Sequence, residues 1–85
     1  MKPDTAVTLA EVSRLEATTP RSVVKARIGD PYTGEPPPKA TSNVSWCYRW
    51  RLEPAGGGKP DPSTDVRLCF DRRDRLIVVM TAPRD

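Results

Sequence analysis

Cysteine and arginine offer the most chemistry in this 85-residue chain, because histidine is absent. Without histidine the chain has no imidazole base, no Ser-His or Cys-His nucleophile pair and no mixed Cys/His zinc site. Its two cysteines are too few for a four-thiolate zinc site. The glycines at 56–58 lack the spacing and the following Lys-Ser/Thr of a phosphate-binding loop. The sequence therefore predicts a protein that is not an enzyme and needs no metal or cofactor.

Two segments show the alternation of apolar and polar residues that is typical of β-strands. In residues 45–52 the even positions are mainly aromatic, whereas the odd positions are mainly Cys and Arg. Residues 66–70 repeat the pattern after a connection rich in Pro and Gly. Because side chains alternate between the two faces of a strand, one face of each is apolar and the other carries Cys and Arg. We expect the two strands to pair as an antiparallel hairpin.

The cysteines, Cys47 and Cys69, fall on the same face of this predicted hairpin. A register that places them opposite each other also pairs Trp46 with Phe70, Tyr48 with Leu68 and Trp50 with Val66. The cysteines are therefore a candidate disulfide in an oxidising environment, and two free, half-buried thiols are the alternative in a reducing one. A redox-active pair is disfavoured because the chain has no Cys-X-X-Cys motif.

The arginines at 49, 51 and 67 share the face of the cysteines. Such a face is commonly solvated and protects a sheet edge from aggregation. Guanidinium groups also bind phosphate and carboxylate, so Arg49, Arg51 and Arg67 are candidate residues of a surface that binds a lipid phosphate or an acidic protein. Tyr32 lies in the Pro-rich segment 31–43, which is either a solvated connector or a second binding edge.

A third strand is predicted at residues 75–81, and it is apolar on both faces. Strict alternation would send the even-numbered residues 76–80 into the core and leave Ile77 and Val79 on the opposite face. An apolar patch on the outside of a sheet is typical of a protein-binding surface or of an interface with a second copy of the chain.

Two short helices are predicted before the strands. Thr8 and Glu11 have the spacing of a capping box, and apolar residues continue at helical spacing to about Ala17. The pair Thr19-Pro20 is the predicted N-terminal cap of the second helix, which ends at Gly29.

The strands follow one another without a crossover, which predicts an α+β fold. Its two short N-terminal helices would pack on one face of a three-stranded antiparallel meander sheet. A chain of this length forms a single domain, 1–85, for which we expect flexible ends at 1–7 and 82–85.

Several of these segments, taken in order, resemble one known family. They are similar to segments of the SmpA/OmlA domain family of BamE-like outer-membrane assembly lipoproteins. The similar segments are residues 12–15, the helix ending at 24–31, the strands at 46–51 and 66–71 and the start of the third strand at 75–77. The resemblance covers about residues 8–81 and implies the same helix-helix-sheet layout, which β-lactamase-inhibitor-like domains share. It also implies that Arg51, which aligns with an arginine of the family's first strand, meets protein partners or phosphatidylglycerol head groups. The family's lipid-anchored cysteine motif is not found in this sequence.

The resemblance implies a non-enzymatic scaffold or adaptor domain of a bacterial cell-envelope complex, which would stabilise an outer-membrane protein assembly or secretion complex. Its partners would be proteins and anionic phospholipid, with a homodimer as a further option. An inhibitor or accessory binding protein of the same fold is the first alternative. A small basic nucleic-acid binder is the second, since the net charge is +3 and the pI is about 9.2. That alternative is disfavoured because the aromatic residues of the first strand and the arginines lie on opposite faces.

The location depends on how the chain begins. We expect the periplasmic face of the outer membrane if this is a mature chain, and the cytoplasm if Met1 is the native start. The sequence has neither an apolar run long enough for a membrane span nor the apolar core of a signal peptide at its start.

Overall fold

A computed structural model describes residues 6–37, 43–53 and 63–84 of the chain. The glycines at 56–58, which lack the pattern of a phosphate-binding loop, lie outside the described residues. The described elements, in chain order, are β1 (Ala6–Val7), α1 (Leu9–Ser13), α2 (Arg21–Ile28), β2 (Thr33–Glu35), β3 (Trp46–Leu52), β4 (Thr64–Phe70) and β5 (Leu76–Pro83).

The five strands form one mixed sheet. Strands β3, β4 and β5 are antiparallel neighbours in that order. On the other edge of β3, β2 pairs antiparallel with its first half and β1 pairs parallel with its end. The predicted three-stranded antiparallel meander is therefore wrong, because two further strands join it and one of them runs parallel.

Both additional strands lie where sequence periodicity carries no signal. β2 has three residues and lies within segment 31–43, where flanking prolines predicted irregular structure. Its backbone nevertheless pairs with the open edge of β3. A short strand at a sheet edge is held by these backbone hydrogen bonds and does not need a face of buried side chains. β1 has two residues inside the predicted flexible end, yet Val7 is completely buried and its carbonyl accepts a hydrogen bond from the N–H of Glu53.

The pairing of β3 with β4 has the register predicted from the alternation. Cys47 is opposite Cys69, and Trp50 is opposite Val66. The apolar face of this pair packs against the helices and is called the helix face below. The opposite face, called the outer face, carries Cys47, Arg49 and Arg51 from β3 and Asp65, Arg67 and Cys69 from β4.

A β-bulge at the start of β5 changes the predicted assignment of its faces. Leu76 is opposite Phe70 and Val78 is opposite Cys69, so Ile77 has no partner in β4. An extra residue in one strand reverses the alternation beyond it. Val79 therefore shares the helix face, and residues 78 and 80 lie on the outer face, which is the reverse of the prediction.

The helices agree with the sequence only in part. The capping box of α1 is confirmed, since the hydroxyl of Thr8 accepts from the N–H of Glu11 and the carboxylate of Glu11 accepts from the N–H of Thr8. The helix ends at Ser13, earlier than predicted. The predicted cap of α2 by Thr19 is wrong, because its hydroxyl donates to the carbonyl of Glu16 and its own carbonyl accepts from Leu76.

One hydrophobic core fills the space between the helices and the sheet. Its buried members come from both helices, the segment after α1 and four of the five strands: Val7, Val12, Leu15, Val24, Ile28, Trp50, Val66, Leu68, Phe70 and Leu76. Trp50 is completely buried, and its indole N–H donates to the carbonyl of Gly29 at 3.0 Å. This bond fixes the end of α2 against the middle of β3. No helix among the described residues has the length and apolar character needed to cross a bilayer.

Candidate functional site

A buried carboxylate, Asp65, organises the outer face of the sheet. Its side chain is completely buried and accepts hydrogen bonds from the hydroxyl of Tyr32, from Nε of Arg84 at 2.8 Å and from Nη1 of Arg49 at 3.2 Å. Burial alone would raise the pKa of Asp65, but the hydrogen bonds from Arg84, Tyr32 and Arg49 outweigh it and hold the pKa below its ordinary value. Asp65 is therefore an ionised carboxylate at neutral pH.

Glu35, from the unpredicted strand β2, pairs with two of the predicted binding arginines. Its carboxylate accepts from Nε of Arg49, and Nη1 of Arg67 lies 3.6 Å from it. Arg67 also places Nη2 at 3.1 Å from the sulfur of Met80. The guanidinium groups of Arg49 and Arg67 thus already have anionic partners within the protein, and a lipid phosphate would have to compete with them.

The ring of Tyr32 contacts two guanidinium groups. Arg51 lies over the ring at 4.5 Å from its centre, and Arg84 lies at 5.8 Å. Burial and the hydrogen bond to Asp65 raise the pKa of the Tyr32 hydroxyl. The structure therefore brings Arg49, Arg51, Arg67 and Tyr32 to one face, as parts of a paired network with Glu35, Asp65 and Arg84. We call these seven residues the arginine–aspartate cluster.

Three members of this cluster are not among the binding residues predicted from the sequence. Asp65 had a usable signal, because it continues the odd-numbered series of Arg67 and Cys69 by one step. Glu35 had none, since it lies in a segment that predicts no strand. Arg84 falls in the predicted flexible end, although its N–H extends the β4–β5 pairing by donating to Ser63.

The cysteines are joined by a disulfide that crosses the outer face from β3 to β4. Both residues are buried. Trp50 of β3 lies on the helix face and is buried, so it offers no ring for base stacking beside the arginines. No group of three or more acidic or thiol side chains that could hold a metal ion is found among the described residues.

The second candidate site is the outer edge of β5, where apolar side chains are exposed on both faces of the strand. Val79 is 48% exposed, Met80 is 41% exposed and Ile77 is 36% exposed. The first and last of these are the predicted binding residues. The hydroxyl-bearing Thr81 beside them is also exposed.

The backbone of this edge is directed outward at two positions. The N–H of Arg84 donates to the carbonyl of Ser63, and in an antiparallel ladder the bonding groups of successive residues point alternately to either side. Counting back along β5, the N–H and C=O groups of Thr81 and Val79 therefore point away from β4. Within the parts of the chain that the structure describes, no strand pairs with them.

The beginning of β5 is closed, in contrast to the rest of its edge. Leu76 accepts from the N–H of Thr18 at 2.7 Å and donates to the carbonyl of Thr19 at 2.9 Å. The open part of the edge therefore starts after Leu76. It forms a strip of exposed apolar side chains with outward-facing backbone groups, which we call the β5 edge (77–81).

Comparison with protein-family models, with curated proteins and with solved structures finds no match to this chain. The two sites themselves define the class of protein: a small disulfide-linked domain with an internally paired charge cluster on one face and an open apolar strand at one edge.

Proposed function

We propose that this protein is a non-enzymatic adaptor domain that binds a partner protein by pairing its β5 edge with an extended segment of that partner. The observation that carries the proposal is the coincidence of outward backbone groups at Val79 and Thr81 with exposed apolar side chains at Ile77, Val79 and Met80. Soluble proteins usually protect such an edge with charges, proline or a covering segment. Between the bulge at Ile77 and Pro83, residues 78–82 carry neither a charge nor a proline. This stretch supports binding by strand addition, in which the backbone supplies affinity and alternate side chains supply specificity.

The disulfide favours location in an oxidising compartment, since such bonds are rare where thiols are kept reduced. This supports a role in the bacterial cell envelope, as the resemblance to the SmpA/OmlA family implies. Protein contacts explain the exposed residues better than anionic lipid does, because Arg49 and Arg67 are held by the carboxylates of Glu35 and Asp65.

The experiment that tests strand addition changes one backbone N–H. Peptides selected from a displayed random library on the wild-type protein would be measured against Val79→Pro and, as the matched control, Val79→Thr. Proline removes the outward N–H at this position without removing a bond to β4, whereas threonine keeps the N–H and a β-branched side chain. We expect Val79→Pro to weaken binding by about tenfold or more, because it removes one backbone hydrogen bond to the peptide and disturbs the neighbouring one. Val79→Thr keeps both bonds and should weaken binding by no more than about twofold.

Circular dichroism is used to test whether Val79→Pro is folded. A second measurement leaves the protein unchanged: the selected peptide is methylated on alternate backbone nitrogens. Only one of the two methylation patterns removes the N–H groups that face β5, so the two patterns should differ in affinity. A library that yields no binding peptide, or peptides that are insensitive to both changes, would contradict the proposal.

A further inference from the structure

A cleft of about 630 Å³ lies where the β5 edge meets the preceding turn. Ile77 and Val78 from β5 and Val44 from the segment before β3 supply its apolar surface, and Arg72, Arg73 and Arg75 line it from the turn. An extended segment that adds to β5 would therefore run along an apolar strip and end beside arginines.

The carboxylates of the turn are already engaged. Asp71 accepts from the N–H groups of Arg73 and Arg75 at 2.8 and 3.0 Å, and these backbone bonds lower the pKa of its carboxyl. Its other oxygen lies 3.5 Å from Nε of Arg75, and Asp74 lies 3.2 Å from Nη2 of Arg21. The remaining cations of the turn are Arg72 and Arg73.

Arg72 and Arg73 are both exposed, and neither forms an ion pair with any residue that the structure describes. Two exposed guanidinium groups at one end of an apolar strip favour carboxylates in the same place on the partner. The geometry points to a partner segment that is apolar where it pairs with residues 77–81 and acidic at the end beside the turn. This inference rests on the proposed function and specifies the chemistry of its partner.

A second copy of the chain is the competing occupant. An antiparallel pairing of two β5 strands would bring Arg84 of the other copy, a further positive charge, towards this end of the edge. That arrangement supplies no net negative charge for Arg72 and Arg73. A polyphosphate ligand satisfies the arginines but leaves the apolar surface of Ile77 and Val78 uncovered. A segment of a different, acidic protein satisfies both.

The test uses three synthetic peptides built on the same eight alternating valine and threonine residues. One carries two aspartates at its N-terminus, one carries them at its C-terminus and one carries two lysines instead. The two aspartate peptides cover both directions in which a strand can add. We expect one of them to bind wild-type protein about tenfold more tightly than the lysine peptide at low ionic strength, and the difference to shrink with added salt.

The charge-reversed variant Arg72→Glu/Arg73→Glu should invert this preference, whereas Arg14→Glu/Arg27→Glu, which changes two exposed arginines on and beside the helices, should leave it unchanged. Equal binding of all three peptides, lost with Val79→Pro, would leave the proposed function standing and overturn this inference. Absence of binding by every peptide would contradict both. Concentration-dependent dimers in sedimentation that Arg72→Glu/Arg73→Glu leaves intact would identify a second copy as the occupant and overturn the acidic partner.

Discussion

Arg49 and Arg67 lie directly opposite each other on neighbouring antiparallel strands, and both are nearly buried. Like charges in this position repel and destabilise a sheet. Two carboxylates remove the conflict: Glu35 reaches both guanidinium groups from β2, and Asp65 binds Arg49 diagonally from β4. The strand that the sequence did not predict is therefore the one that makes the arginine face possible.

The pH dependence of stability should follow Asp65. Its pKa is lower in the folded protein than in the unfolded chain, so the unfolded chain binds the proton more tightly. The resulting stabilisation is fully present above the unfolded pKa of about 4 and is lost as the pH falls through the folded value. We expect Asp65→Asn to lower the free energy of unfolding at pH 7. The difference in free energy of unfolding between wild type and this variant should decrease steadily as the pH falls.

Urea unfolding of both proteins between pH 2 and pH 7 measures that difference in free energy. Asp30→Asn is the control, because Asp30 forms an exposed ion pair with Lys25 and should change stability little at any pH. A gap for Asp65→Asn that stays constant down to pH 2 would show that its charge is not what stabilises the fold.

Removal of Arg49 should destabilise the fold more than removal of the exposed Arg14. Arg49→Met deprives Glu35 and Asp65 of a shared partner in a buried setting, at a cost of about 3 kcal/mol. Arg14→Met removes an exposed guanidinium beside α1, at a cost of about 0.5 kcal/mol or less. Equal losses in chemical denaturation would mean that the cluster does not depend on its carboxylates.

The hairpin of β3 and β4 was predictable because two independent signals, the alternation and the cysteine positions, agree on one register. β1 and β2 were not predictable, since two or three residues are too short for a period and their stability comes from the partner strand. The bulge at Ile77 was not predictable either. Because residues on both faces of β5 are apolar, the sequence pattern is the same whichever residues point into the core. In the turn before β5, Asp74 adopts a left-handed φ of 59°, a conformation that Asp tolerates.

Trp50 and Trp46 provide a matched test of the assignment of faces in β3. Trp50 is completely buried and hydrogen-bonded to Gly29, so we expect Trp50→Ala to lower the free energy of unfolding by about 3 to 5 kcal/mol. Trp46 is 42% exposed, and Trp46→Ala should cost about 1 kcal/mol or less. A loss below about 1 kcal/mol for Trp50→Ala would mean that the helix face and the outer face are reversed.

The disulfide should contribute about 3 kcal/mol, because it closes a loop between residues 22 positions apart in the unfolded chain. Guanidinium unfolding of the oxidised protein, compared with the double variant Cys47→Ala/Cys69→Ala, measures the contribution. Intact-mass analysis after alkylation under denaturing conditions provides the control, since oxidised protein should take up no label. Two labelled thiols in air-oxidised protein would refute the bond.

Gly34 tests how closely β2 and β3 approach each other. A methyl group at this position would lie 2.7 Å from Nε1 of Trp46 and 3.2 Å from the ring of Tyr48. We expect Gly34→Ala to cost about 1 kcal/mol and to shift the fluorescence of Trp46 as its ring moves away. In a Trp46→Ala background the nearest obstacle is gone, so the same substitution should cost measurably less. A double-mutant cycle with no coupling between the two positions would show that the indole does not pack over Gly34 in solution.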